Sequence, residues 1–215
     1  GMMNHIVASD LHDVPYIKRY TVGPLLVRSD NGEYLTSEDA GLGEKGFVVW
    51  DTQANTAKAT FPDIPPAYPN HTEYRVTDPE KYVPDHGDEV ALDGTYDVVV
   101  NGATVKCTPA WELFATHLEQ YTPEHASSIC EVPVEDIIWL AEEYATTPQS
   151  SVRMSQGAQR YWQGHLSFRA GMVLAGVCGN LGMKHSGFSW SDGSLMRLLF
   201  SLPLEYVLPD PEYAG

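Results

Sequence analysis

Met154-Ser155-Gln156-Gly157-Ala158-Gln159-Arg160-Tyr161-Trp162-Gln163-Gly164 decides how this 215-residue sequence is read. On its N-terminal side, Ser151-Val152-Arg153-Met154-Ser155 has the composition of a buried strand. On its C-terminal side, Tyr161 to Leu181 carries Leu166, Phe168, Met172, Val173, Leu174 and Val177 interleaved with Ala170, Gly171, Ala175 and Gly176. That segment predicts a long helix with a small-residue face for tight packing, closed by Gly179-Asn180-Leu181-Gly182. A strand, a short polar loop and a helix place the loop where α/β folds bind ligands, at the carboxyl end of a strand. The loop offers Ser155, Gln156 and Gln159 as neutral hydrogen-bonding groups, Gly157 and Gly164 as small residues, and Arg160 as a fixed positive charge. It holds no carboxylate that would repel an anion, and it fits neither the G-x-G-x-x-G dinucleotide fingerprint nor the P-loop. By spacing alone, Gln-Arg after a glycine also serves simply to cap a helix.

Charge sharpens the picture. The chain has 13 Lys plus Arg against 29 Asp plus Glu, a net charge of −16. Such a balance is wrong for nucleic acid or an anionic membrane surface, and no apolar run approaches the ~20 residues of a span. Residues 30–97 contain 15 acids and 4 bases, whereas residues 151–202 contain Arg153, Arg160, Arg169, Lys184 and Arg197 against Asp192 alone. The second segment reads either as a chance cluster of surface arginines or as the lining of an anion pocket. The N-terminus lacks the basic, apolar and small-residue order of a secretory leader, and the compartment is left undetermined.

Outward from the loop, the first thirty residues predict a short helix stopped by Gly23-Pro24, and Leu25-Leu26-Val27-Arg28 predicts a strand. Asp30-Asn31-Gly32 predicts a hairpin turn into Glu33-Tyr34-Leu35. Phe47–Asp51 predicts a strand with a polar return through Thr56 to Thr60. Residues 61–84, with six of the 15 prolines, predict a long irregular excursion. Tyr96 to Val100, Asn101-Gly102 and Ala103 to Lys106 form the clearest hairpin. Thr108-Pro109 and Thr122-Pro123 each predict an N-cap followed by proline at N1, and Pro133 opens a helix with Val134, Ile137, Ile138, Ala141 and Tyr144 on one face. Cys107, Cys130 and Cys178 are odd in number and widely spaced, so no disulfide framework, metal pair or iron–sulfur spacing is expected. The eight histidines show no paired ligand spacing either.

Several stretches together resemble one family. Val14 to Arg28 is similar to the "FI..YT.GP.LVR" segment of the molybdopterin oxidoreductases of the dimethyl-sulfoxide-reductase superfamily. Ala110-Trp111-Glu112-Leu113-Phe114 and Tyr121-Thr122-Pro123-Glu124 resemble the helix that follows. Val132 to Ile137 resembles "GVP.E.I", Gly157 to Gly164 resembles "G.GLQRY..G", and Gly179 to Gly182 resembles "GNIG". The matches keep family order from about residue 5 to residue 190 and jointly are specific. Met183 to Phe188 departs from the family's glycine-rich continuation.

The resemblance implies an α/β fold, a partial Rossmann-like three-layer cofactor domain with β-hairpin insertions and a central buried helix. Its organisation is expected to be one partial domain over residues 1–215. Within it, residues 1–106 are expected to be rich in hairpins, residues 107–202 to be helical and to carry the cofactor-facing loop, and residues 203–215 to form an irregular tail. The resemblance also implies a segment of a catalytic subunit that transfers electrons, with bis-molybdopterin guanine dinucleotide in the intact parent. Ser155, Gln156, Gly157, Gln159, Arg160 and Gly164 would line the cofactor wall, with Gln159 and Arg160 at the pterin or the metal's oxygen ligands. The family's iron–sulfur cysteines and molybdenum ligand have no counterpart in the sequence, so the isolated chain is expected to be inactive and to bind no metal or cofactor. The implied partners are the rest of the catalytic subunit and an iron–sulfur electron-transfer subunit. Parents of this type are often exported or membrane-associated through partners. An open sheet edge predicts a homo-oligomer, most simply a two-fold dimer, when the chain is isolated. The alternative is a stand-alone, non-catalytic α/β interaction module derived from the same fold. If the long helix is central, a charge at Val173 should unfold the protein.

Overall fold

The computed structural model describes residues 1–43, 46–60 and 86–191, except for the side chains of Gln156, Gln159 and Ser191. The expected excursion at 61–84, the tail at 203–215 and the charges of Asp192 and Arg197 lie outside the described residues. The protein is mixed α/β and divides into two compact units, Gly1–Thr146 with Gly176–Gly179, and Thr147–Ala175 with Asn180–Gly215.

The first unit opens with two short helices, α1 (Met2–Ala8) and α2 (Val14–Tyr20), in place of the single expected helix. The break is made by Asp10, which sits at φ 55, and by Asp13, whose carboxylate caps α2 by accepting from the Tyr16 N–H at 2.8 Å. Strand β1 (Leu26–Arg28) follows, then β2 (Phe47–Asp51) and β3 (Thr56–Thr60), which pair with each other from Phe47↔Thr60 to Asp51↔Thr56. Strands β4 (Tyr96–Val100) and β5 (Ala103–Pro109) make the expected hairpin, with Val100 opposite Ala103. Its two turn residues, Asn101 and Gly102, take φ of 49° and 86°, the left-handed pair that a two-residue primed turn demands.

The sheet order is β1-β5-β4, with Leu26 opposite Pro109. This register corrects one expectation. Thr108 lies opposite Val27 in the ladder, and helix α3 (Ala110–Leu118) starts from Pro109 with no side-chain cap. Sheet pairing therefore claims the residue whose hydroxyl was expected to cap. At Thr122 the expectation holds: its hydroxyl accepts from the His125 N–H at 3.2 Å and opens α4 (Pro123–Cys130). Helix α5 (Val134–Thr146) buries Ile137 and Ala141, and Val134, Ile138 and Tyr144 are half-buried on the same face. Leu26, Leu35, Val48, Val98, Val100 and Cys107 form the buried core of this unit.

Two polar devices lock the frame. Arg28 donates to both Asp30 oxygens at 3.0 and 2.8 Å and to Asp39 at 2.9 Å, and Asp39 in turn accepts from the Asn101 side chain at 3.1 Å. The guanidinium holds the Asp30 carboxyl below its ordinary range. Buried His86 bridges two loops: Nε2 lies 3.1 Å from the Thr21 carbonyl, and Nδ1 lies 2.8 Å from the Thr60 hydroxyl. A carbonyl only accepts, so Nε2 carries a proton and donates to Thr21.

The second unit contains β6 (Ser151–Ser155), the single-turn helix α6 (Gln156–Gln159), α7 (Gly164–Val177) up to Ala175, and β7 (Gly187–Ser191). Strands β6 and β7 pair in parallel, Ser151↔Gly187 through Ser155↔Ser191, with α7 as the crossover. The predicted strand is amphipathic instead of buried on both faces. Val152 and Met154 are half-buried, whereas Ser151, Arg153 and Ser155 are exposed. The small-residue face of α7 does its expected job at Gly171, where a Cβ would stand 2.8 Å from Phe188 and 3.1 Å from Met154 Sδ.

Helix α7 is not a central buried helix within the described residues. Leu166, Met172 and Val173 are 44%, 44% and 40% exposed, because a two-stranded sheet supplies partners for only one stripe of the helix. The helix ends in a Schellman cap, in which Gly179 at φ 68 donates to Gly176 and Asn180 donates to Ala175. No described helix is long and apolar enough to cross a membrane.

Candidate cofactor-facing loop

The loop is built by the end of β6. Ser155 closes the strand opposite Ser191 and occupies the N-cap position of α6 at φ −136, ψ 178, without a side-chain cap. Gln156 and Gln159 are the first and last residues of that helical turn, and their side chains lie outside the described residues. Gly157 between them is exposed, and a Cβ added there would meet nothing within 4 Å. Neither its backbone conformation nor any neighbouring group among the described residues therefore requires glycine. The Arg160 N–H donates to the Gly157 carbonyl at 3.3 Å, and the arginine itself is exposed. Gly164 is buried at the start of α7 and donates to Tyr161 at 2.9 Å. The structure thus brings Ser155, Gly157, Arg160 and Gly164 into one short strand–turn–helix connection at the carboxyl end of β6.

Sequence reasoning assigns no role to Tyr161 and Trp162. They are 78% and 91% exposed, and a left-handed Gln163 at φ 58 separates them from α7. The available signal is their adjacency, since consecutive residues of a helix cannot share one buried stripe. Residues 151–191 contain three arginines and a lysine and no Asp or Glu.

Among the described residues no three His, Cys, Asp or Glu side chains gather as a metal site. Cys107 and Cys178 are not activated. Burial raises the Cys107 thiol, and burial with the nearby Asp13 charge pushes Cys178 up to about 11. At pH 8 only about a thousandth of Cys178 is thiolate. Iodoacetamide at that pH is therefore expected to alkylate the exposed Cys130 first, with peptide mass mapping as the check. Equal labelling of Cys178 would contradict the burial.

No protein-family model matches the chain. It is 29% identical over 203 residues to perchlorate reductase subunit alpha of Dechloromonas aromatica, covering 88% of this chain and 22% of that one. It is 25% identical over 194 residues to respiratory nitrate reductase subunit alpha of Haloferax mediterranei, covering 87% and 19%. Dimethyl sulfoxide reductase DmsA of Escherichia coli has higher identity over a shorter stretch, at 37% over 82 residues, 38% of this chain and 10% of that one. These relatives are catalytic subunits of molybdopterin oxidoreductases, so the class suggested by the motifs stands. The chain corresponds to a segment of such a subunit and spans about a fifth of the length of the first two relatives.

Proposed function

We propose that the loop from Ser155 to Gly164 forms part of the wall that holds molybdopterin guanine dinucleotide in the parent enzyme. The observation that carries this reading is Gly157. It is a glycine with ordinary backbone and no described residue within 4 Å of where its Cβ would be, at the carboxyl end of a parallel strand, in a stretch free of carboxylates. Such a position suits close approach by a group from outside the chain. In this reading Arg160 offers its planar donor fork to a phosphate or pterin oxygen, and Ser155, Gln156 and Gln159 add neutral donors and acceptors. The bound cofactor supplies the redox chemistry, while these residues hold and orient it. A single parallel pair with one crossover helix also suits a piece of a larger doubly wound sheet. The partners in this reading are the rest of the catalytic subunit and an iron–sulfur electron-transfer subunit.

The test is titration of the chain with guanosine diphosphate, followed through the amide resonances of Gly157 and Gly164. Weak binding is expected, with shifts confined to residues 155–164. Arg160→Ala should lose about tenfold in affinity, the worth of a charge-assisted pair. Gly157→Val should abolish the shifts while leaving the melting temperature unchanged, because its side chain enters open space. Shifts that persist unchanged in both variants, or none at Gly157 in the parent chain, would count against a cofactor wall and favour a stand-alone module.

A further inference from the structure

His12 lies in the short joint between α1 and α2, next to a residue with three attachments. The Asp13 carboxylate caps α2 by accepting from the Tyr16 N–H at 2.8 Å. The Asp13 N–H donates to the Val177 carbonyl at 2.9 Å, in the last turn of α7. The same carboxylate closes against Gly179, where a Cβ would have no room. Val177 is buried, and Gly176–Gly179 belong to the first unit, so these contacts are internal to that unit.

The His12 ring stands against Trp111 of α3, with ring centroids 5.0 Å apart. Its Nδ1 is buried, and no described residue offers it a hydrogen bond. Whichever nitrogen carries the proton of the neutral ring, charging the ring makes both nitrogens donors and leaves the one at Nδ1 without an acceptor. A buried cationic N–H without a partner is a far more costly defect than a buried lone pair. The indole face beside the ring favours a cation, but burial prevails. It lowers the ring's affinity for a proton by more than the Asp10 and Asp13 carboxylates and the Ile6 backbone raise it. Among the described residues those two carboxylates are the titratable groups that face the ring, while α1 contributes the Ile6 backbone and α3 the Trp111 indole.

We propose that His12 is an acid-sensitive pin: charging its ring draws it from its seat beside Trp111 and releases the last turn of α7 from Asp13. The carboxylates that attract a charged ring are Asp10, which is exposed, and Asp13, which the Tyr16 N–H already engages. A ring that turns to either one leaves Trp111 and shifts the backbone it shares with Asp13. The closed state keeps His12 neutral below the ordinary imidazole value of 6.5, whereas the opened state takes up a proton there. The stabilisation is therefore present above pH 6.5 and is lost as the pH falls through 6.5 toward the lowered value of the closed state. The pin uses none of the loop residues and is independent of the cofactor reading. Because Nδ1 is sealed inside the chain, a neighbour packed on the outside does not reach it.

Cys178, half-buried beside Gly179 and within the field of Asp13, reports the contact. The probe is dithiodipyridine, a disulfide that still reacts with thiols in mild acid. Its rate at Cys178 is taken relative to exposed Cys130 in the same sample, so that the common fall of thiolate with pH cancels. Between pH 7 and pH 5 the Cys178 to Cys130 ratio is expected to rise about threefold or more as the local contact opens, with buried Cys107 unreactive throughout. His12→Phe keeps an aromatic ring against Trp111 and cannot be charged, so its ratio should stay flat. His12→Gln, also uncharged at every pH, keeps the test open should the phenylalanine variant not fold. A flat ratio in the parent chain would overturn the pin. An equal rise in the His12 variants would overturn it too, since the acid response would then belong to other groups. So would Cys107 becoming reactive together with Cys178, because the chain would then be opening as a whole.

Discussion

Val48→Asp is expected to leave the protein unfolded at room temperature, whereas Val173→Asp is expected to melt cooperatively with little change. Val48 is fully buried in the β-sheet core in one apolar cluster with Leu26, Leu35 and Cys107. An unpaired carboxylate at such a site costs at least about 4–5 kcal/mol, comparable with the whole stability of many domains. Val173 is 40% exposed on α7, so its carboxylate keeps water, and the change is held to about 1 kcal/mol by helix propensity and the nearby negative helix end. Circular dichroism melts of the two variants decide the matter. Loss of structure in Val173→Asp would mean that α7 lies inside the fold after all.

The second large effect concerns the end of α7. Gly179→Ala is expected to lower stability by about 2–4 kcal/mol. Two separate costs add. The residue sits at φ 68, where a Cβ is disfavoured, and the same Cβ would run into the Asp13 carboxylate that caps α2. Gly182 at φ 78 has nothing within 4 Å, so Gly182→Ala should show only the conformational cost, about 1 kcal/mol. Urea unfolding of the parent chain, Gly179→Ala, Asp13→Ser and the double variant forms a cycle that isolates the contact, with Gly182→Ala as the conformational reference. If Gly179→Ala costs no more than Gly182→Ala, the close approach to Asp13 is absent in solution.

Features fixed by neighbours along the chain are legible in the amino-acid order itself. Asn101-Gly102 announces its turn because two consecutive left-handed residues are cheap only for such a pair. Thr122-Pro123 announces its helix because cap and N1 are adjacent, and α5 announces its inner face through spacing alone. Features set by distant partners are not legible in this way. Strand β7 escapes a sequence reading because its parallel mate lies far back in the chain, with no turn residue to signal the pairing. Thr108 looks like a cap until β1 claims it as a ladder position. The burial of α7 is overestimated because apolar content reports what a helix is able to bury, not how much sheet is there to cover it. For the loop, amino-acid order locates its place at the carboxyl end of β6 and its charge. It does not reveal the open space before Gly157 or the outward turn of Tyr161 and Trp162, which depend on the backbone path between two elements.

The hydrogen bonds of His86 to the Thr60 hydroxyl and the Thr21 carbonyl tie together positions 26 and 65 residues away along the chain. One ring thereby serves two distant places, and their fates are joint: a change at residue 86 is felt at the end of β3 and at the end of α2 in a single step.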